Sequence, residues 1–318
     1  NLSFPNLQKL DVSFNLLTDL PDFLTFAPSI KKINATTNKL KNIHPSISKL
    51  TKLDNLDVSH NQITYIPELP PTLKHLLVQS NQIDSWADMP PMEMHELSLW
   101  KNQIKSIPGF TYGNIDQVCI CHNCLTEIPV DCLINQIKML DLCMNNIRTL
   151  PPMLFKIKTL EKLILYRNEI TEVPIEFSTS YLVSFDISEN PIGHLPVIPY
   201  QLNELKINFC EFEDLTHCIK MNSLTKLHAI SNHLKTLPSM PEITELLVPC
   251  NELTEFPVLT LTFMQQVVID VSFNKIKSIP PLDAAFRLLD VSHNEITEFP
   301  KEYFNTRSYI YLSGNPIT

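Results

Sequence analysis

A chain of 318 residues with 44% hydrophobic and 19% charged residues has the composition of a folded protein, which excludes wholesale disorder. Its net charge of -9 repels phosphate backbones, so no nucleic-acid partner is expected. The only 4 glycines, Gly109, Gly113, Gly193 and Gly314, stand singly beside 25 prolines, so the chain has no GxGxxG, phosphate-binding loop or GxSxG elbow.

Taken in chain order, the elements are copies of one another. Leu10-Asp11-Val12-Ser13-Phe14-Asn15-Leu16-Leu17-Thr18-Asp19-Leu20-Pro21 returns as Leu56-Asp57-Val58-Ser59-His60-Asn61-Gln62-Ile63-Thr64-Tyr65-Ile66-Pro67. It returns in part at Ile269-Asp270-Val271-Ser272-Phe273-Asn274. It returns in full at Leu289-Asp290-Val291-Ser292-His293-Asn294-Glu295-Ile296-Thr297-Glu298-Phe299-Pro300. The asparagine recurs as Asn15, Asn38, Asn61, Asn81, Asn102, Asn123, Asn145, Asn168, Asn190, Asn232, Asn251, Asn274, Asn294 and Asn315, with Cys210 standing in once. The spacing is 19 to 23 residues.

Each position of the unit has a physical job. The alternation of apolar and polar residues before the asparagine predicts a half-buried strand, and successive units lay such strands side by side as a parallel sheet. The asparagine is expected to end the strand, turn inward and satisfy backbone groups left open by the turn, as a buried ladder that takes the place of glycine. Eleven prolines follow it by six residues: Pro21, Pro67, Pro108, Pro129, Pro151, Pro174, Pro196, Pro238, Pro257, Pro280 and Pro300. There the chain runs extended on the far side, where a fixed φ and a missing N–H cost little. His44, Ala87 and Thr216 replace that proline in less regular units.

The pattern LxxLxLxxNxLxxLP resembles the leucine-rich repeat and covers essentially the whole chain. The implied fold is α/β by class but helix-poor: a curved horseshoe solenoid with a concave parallel sheet and a convex side of polyproline and 3₁₀ segments. Residues 1–318 are expected to form a single solenoid of about 15 repeats. Because the chain starts with Asn and neither end carries a polar cap, it is expected to be a piece of a larger multidomain protein.

The concave positions lie two, four and six residues before each asparagine. Several repeats carry a small polar default there: Asp11/Ser13, Asp57/Ser59, Asp186/Ser188, Asp270/Ser272 and Asp290/Ser292. The middle of the chain departs from it with Trp100, Lys101, His122, Met144, Tyr166, Arg167, Phe209, His228 and Ile230. Aromatic, Met and Arg side chains are enriched at the energetic centres of protein interfaces, so these residues are the candidate partner-binding face.

Cys119, Cys121, Cys124 and Cys143 suggest ligands, yet residues two apart on a strand are separated by roughly 7 Å and a sheet suits a tetrahedral ion poorly. The expectation is therefore no metal, no cofactor and no catalytic residue. Ser, His and Asp fall on adjacent strands only because the repeat supplies them, so no enzyme is expected. Eight cysteines bunched centrally do not form an extracellular staple framework and point to a reducing, cytoplasmic location. No apolar run of 18 residues exists to span a membrane.

The repeats resemble those of intracellular Ras-scaffold proteins, of PPM-type phosphatases and of microbial adenylate cyclases, through Leu-Asp-Val-Ser-x-Asn-x-Ile-Thr-x-Ile-Pro. Shorter units such as Ile66-Pro67-Glu68-Leu69-Pro70-Pro71-Thr72-Leu73 are similar to bacterial effector repeats that precede ubiquitin-ligase domains. The resemblance implies a non-catalytic module that binds a protein partner in signalling. It also admits a regulatory segment serving a catalytic domain of the same polypeptide, or an extracellular recognition domain.

Overall fold

The computed structural model describes residues 3–22, 26–87, 90, 92–106, 115–128, 137–219, 224–259, 266–281, 286–301 and 308–318. Asn1, Pro108, Gly109, Gly113, Pro129 and Cys132 lie outside the described residues. The chain divides into two compact units, Asn1–Ile164 and Leu165–Thr318. Each is a helix-poor stack of parallel strands.

In the first unit the strands Lys9–Asp11, Lys32–Asn34, Asn55–Asp57, His75–Leu77, Met94–Ser98, Ile115–Cys119, Met139–Asp141 and Lys162–Ile164 pair in sequence order. The register brings Leu10, Ile33, Leu56, Leu76, Leu97, Val118, Leu140 and Leu163 into one column. All but Leu10 are buried. The second unit repeats the device on Ser184–Asp186, Glu204–Lys206, Lys226–His228, Glu245–Leu247, Val267–Asp270, Phe286–Asp290 and Tyr309–Tyr311. Its column runs Phe185, Leu205, Leu227, Leu246, Ile269, Leu289 and Ile310. No repeat can bury its apolar face alone, and stacking does so for all of them.

Behind the sheet the backbone is extended or 3₁₀, which is what short repeats leave room for. Among the described residues are 3₁₀ helices at Pro45–Lys49, Pro152–Lys156 and Ile175–Thr179. Pro151 and Pro174 precede two of them in polyproline-like geometry, with φ -69° and ψ 132°, and φ -59° and ψ 149°. His44, which stands where a proline is usual, adopts φ -64° and ψ 131°, and its imidazole accepts the N–H of Ser46. The backbone shape is thus kept without proline because the ring nitrogen caps the turn. A small parallel pair, Tyr65–Ile66 with Ser85–Trp86, adds a second sheet in the first unit.

The asparagines bond in one recurring pattern. Asn61 Nδ2 donates to Val58 O and Ser59 O of its own turn and to Ala35 O of the preceding repeat, each at 3.0 Å, while its Oδ1 accepts the N–H of Leu40 at 2.9 Å. Asn38, Asn81, Asn102, Asn123 and Asn145 share this set of partners in the first unit. Asn190, Asn251, Asn274, Asn294 and Asn315 share it in the second. Asn232 likewise receives Phe212 N–H and donates across to Ile207 O, and Asn168 donates to Leu165 O. Asn15 is exposed and bonds to its own turn, at Val12 O and Ser13 O.

Cys210 shows what the amide does. Its Sγ reaches Ile187 O at 3.6 Å and Asn208 O at 3.4 Å, two of the usual acceptors. A thiol has no carbonyl to receive the N–H of Ile192, which bonds Asn190 O instead. Restoring the amide with Cys210→Asn is expected to stabilise the protein by about 1 kcal/mol, the net worth of a better buried hydrogen bond. Urea unfolding measures it, and a midpoint at or below that of the parent chain would count against the ladder account.

The turn itself is made one residue earlier than the sequence suggests. The residue directly before the asparagine is left-handed in repeat after repeat, from Phe14 at φ 54° through Lys101, His122, Met144, Arg167 and Phe209 to His293 at φ 52°, and Gly314 closes the series at 73°. For a side chain this conformation costs roughly 1–2 kcal/mol. The bonds on either side hold it, for example His60 N–H to Gln79 O at 2.8 Å. The shortage of glycine therefore reflects tolerated strain at this position, and not an asparagine taking over the left-handed turn.

Candidate functional site

The open face of each sheet is built from side chains two, four and six residues before the asparagine. The default Asp-x-Ser pair closes on itself there. Asp57 Oδ1 accepts both the N–H and the hydroxyl of Ser59, at 3.0 and 2.5 Å, and Asp270 does the same with Ser272 at 3.0 and 2.7 Å. This is a side-chain turn that satisfies the strand's last donor, so the aspartate is structural where it recurs.

In the first unit the departure centres on Trp100. Its ring meets that of His122 edge-on at 6.4 Å, and Lys101 Nζ lies 5.9 Å from its centroid, a cation–π arrangement. Lys101 and His122 are exposed, and Met144 is half-buried one repeat later. His75 and His95 add imidazoles near Glu96 at 3.6 Å and Asp116 at 3.2 Å. The His95 hydrogen bond holds the Asp116 carboxyl below its ordinary value, with Lys138 adding to the effect.

In the second unit Tyr166, Asp186, Ser188, Glu189, Asn208 and Phe209 line a hollow of about 280 Å³. Phe209 is 56% exposed. Burial of the Tyr166 phenol, then its hydrogen bond to Glu189, pushes its pKa up, while Arg167 Nε stands 3.9 Å from the same carboxylate. His228 Nε2 bonds Glu245 Oε1 at 2.9 Å, and Ile230 lies beyond it on the same strand face. The candidates thus separate by position. Trp100, Tyr166, His228 and Ile230 precede their asparagine by two or four residues and face outward from the sheet. Lys101, His122, Met144, Arg167 and Phe209 sit on the left-handed turn. Sequence spacing does not single out Phe273 and His293 at that same turn position, whose rings stack at 4.2 Å.

The cysteines are closer together than strand spacing implies. Cys119 Sγ and Cys121 Sγ are 3.3 Å apart, and Asp141 Oδ2 lies 3.9 Å from Cys119 Sγ. The 7 Å separation applies to their backbone positions, and the side chains lean toward each other. Hydrogen bonding from Cys121 draws the Cys119 thiol's pKa down, whereas the bonds to Cys119 and Cys143, followed by burial, push Cys121 up. Cys124 lies past the turn and is exposed.

Stacked parallel strands, a repeating asparagine ladder and an extended back side are the architecture of a leucine-rich repeat solenoid. A family model described as leucine rich repeat matches residues 5–67. The chain is similar to Toll-like receptor 2 type-1 of Gallus gallus, 29% identical over 136 residues, which cover 40% of this chain and 17% of that protein. It is also similar to leucine-rich repeat-containing protein 3 of Danio rerio, 32% identical over 111 residues, 31% of this chain and 41% of that one. The chain thus spans less than half the length of these relatives. Among solved structures, YopM, a leucine-rich effector protein from Yersinia pestis, superposes with a TM-score of 0.74 at 21% identity, over 96% of this chain and 88% of that one. At that identity the likeness concerns the fold. No helix among the described residues is long and apolar enough to cross a membrane.

Proposed function

We propose that this chain is a non-catalytic protein-interaction module of cytoplasmic signalling that binds a protein partner on the open face of its sheet. One observation carries the reading: Trp100 and Tyr166 stand where the self-closing Asp-x-Ser pair has its serine. In the first unit Lys101 and His122, on the neighbouring turns, gather around the Trp100 ring, and in the second Phe209 joins Tyr166 around a hollow. A surface that is polar by default gains rigid, half-exposed rings, which are the side chains that dominate binding energy at interfaces. The leucine-rich repeat fold is typically an interaction scaffold, in keeping with this.

A reducing location is supported by the thiols of the second unit. Cys218 is fully buried against Leu215 O at 3.3 Å, and burial pushes its pKa up to about 12; Cys210 is held likewise at about 11.

The test is affinity capture of the partner, followed by titration of the parent chain, Trp100→Ala and Tyr166→Ala. Both variants are expected to keep the parent's unfolding midpoint and to lose about 2 kcal/mol of binding, roughly thirtyfold in Kd. Parent-like affinity in both would remove the reading.

A further inference from the structure

We propose that Cys119, Cys121 and Asp141 form a binding site for a soft divalent cation of the zinc class, with Cys143 supplying a fourth donor. One ligand atom from each of the first three residues falls within 4.8 Å of the other two. The strand Ile115–Cys119 pairs with Met139–Asp141 so that Cys119 stands opposite Asp141. Two residues on, His122 N–H reaches Cys143 O, which sets Cys121 beside Cys143. The four side chains therefore occupy a two-by-two grid on the open face.

The distances suit a metal. Bonds of about 2.3 Å to sulfur and 2.0 Å to oxygen in a tetrahedral site place two sulfurs roughly 3.8 Å apart and a sulfur and a carboxylate oxygen roughly 3.5 Å apart. Here Sγ to Sγ is 3.3 Å and Sγ to carboxylate oxygen is 3.9 Å. Closing on an ion takes a shift of roughly half an ångström at each pair, the thiols apart and the carboxylate inward, and a turn of the Cys143 side chain toward the group of three. Asp141 is already oriented for it. Its Oδ1 accepts the N–H of Cys143 at 3.0 Å, which fixes the carboxylate with Oδ2 toward the thiols, as an outer hydrogen bond orients a metal ligand.

The departure from the repeat's default sharpens the case. In three Asp-x-Ser pairs the hydroxyl is spent on its own aspartate, Ser13 on Asp11, Ser59 on Asp57 and Ser272 on Asp270. In these two repeats every such hydroxyl is a thiol, and thiols are weak hydrogen-bond partners but strong ligands for zinc-class ions. On binding, each coordinating thiol forms one S–metal bond and releases one proton to solvent. No electrons move, and the carboxylate keeps its charge.

The test uses the chain in a phosphine reductant after treatment with a chelator. Cobalt(II) is titrated as the optical probe, then zinc(II) as competitor. One cobalt per chain is expected, with a thiolate charge-transfer band that zinc abolishes. Cys119→Ser/Cys121→Ser is expected to weaken cobalt binding at least tenfold, whereas Cys250→Ser, which changes an exposed thiol of the other unit, keeps it. Serine already stands at the matching positions in Ser98 and Ser59, so the double variant is expected to keep its unfolding midpoint, which is measured alongside. Absence of the band at one equivalent would overturn the proposal, as would equal cobalt binding by the double variant.

Discussion

Asn274→Ala is expected to cost about 3–5 kcal/mol. The amide donates to Val248 O, Val271 O and Ser272 O at 3.0–3.1 Å and accepts Leu253 N–H at 2.9 Å, in a site only 8% exposed. Truncation leaves three carbonyls and one N–H without that partner, each worth roughly 1–3 kcal/mol when buried and unmet. The sum is not additive, since water can reach part of the gap and the turn can relax. Asn274→Asp offers a sharper comparison, because a carboxylate facing three carbonyls repels them. Asn15→Ala is the internal control. That residue is exposed and bonds its own turn, so a loss under about 1 kcal/mol is expected. Urea unfolding of the three variants decides the matter; equal losses at Asn274 and Asn15 would mean that the cross-repeat bonds carry no special weight.

Phe185→Ala is expected to cost about 3–5 kcal/mol through a different mechanism. Phe185 is fully buried in the strand column of the second unit, and its ring centre lies 4.9 Å from that of Phe177. Removing it deletes transfer free energy and leaves a void that the close-packed stack fills poorly. Phe14→Ala changes a ring that is 79% exposed, and its loss is expected within about 0.5 kcal/mol. Thermal unfolding of both variants reads the difference. A small loss at Phe185 would mean that the column repacks, contrary to a rigid stack.

Much of the fold is legible in the chain because stacking gives equivalent positions equivalent surroundings. Leu56, Leu76 and Leu97 recur at one phase because each must fill the same column. Prolines six residues after the asparagine announce extended backbone, as Pro151 and Pro174 show. The left-handed turn is not legible. Phe14, Thr37, Lys101, Met144 and Glu189 share no residue preference, since the bonds of neighbouring repeats impose the conformation. The candidate face is half legible. Trp100 and Tyr166 stand out against a polar default, but the hollow lined by Tyr166 and Phe209 is assembled from three successive repeats, whose side-chain directions decide whether it opens.

The sequence by itself determined the repeat, its strand, its inward asparagine and its extended back, because each follows from local periodicity and from what one side chain can bond. Tertiary structure alone decided which residue bears the left-handed strain, how Asp141 is turned by Cys143 N–H, and that two thiols spaced as strand neighbours meet at 3.3 Å. Those depend on side-chain rotamers and on contacts across repeats, which periodicity fixes in phase but not in direction.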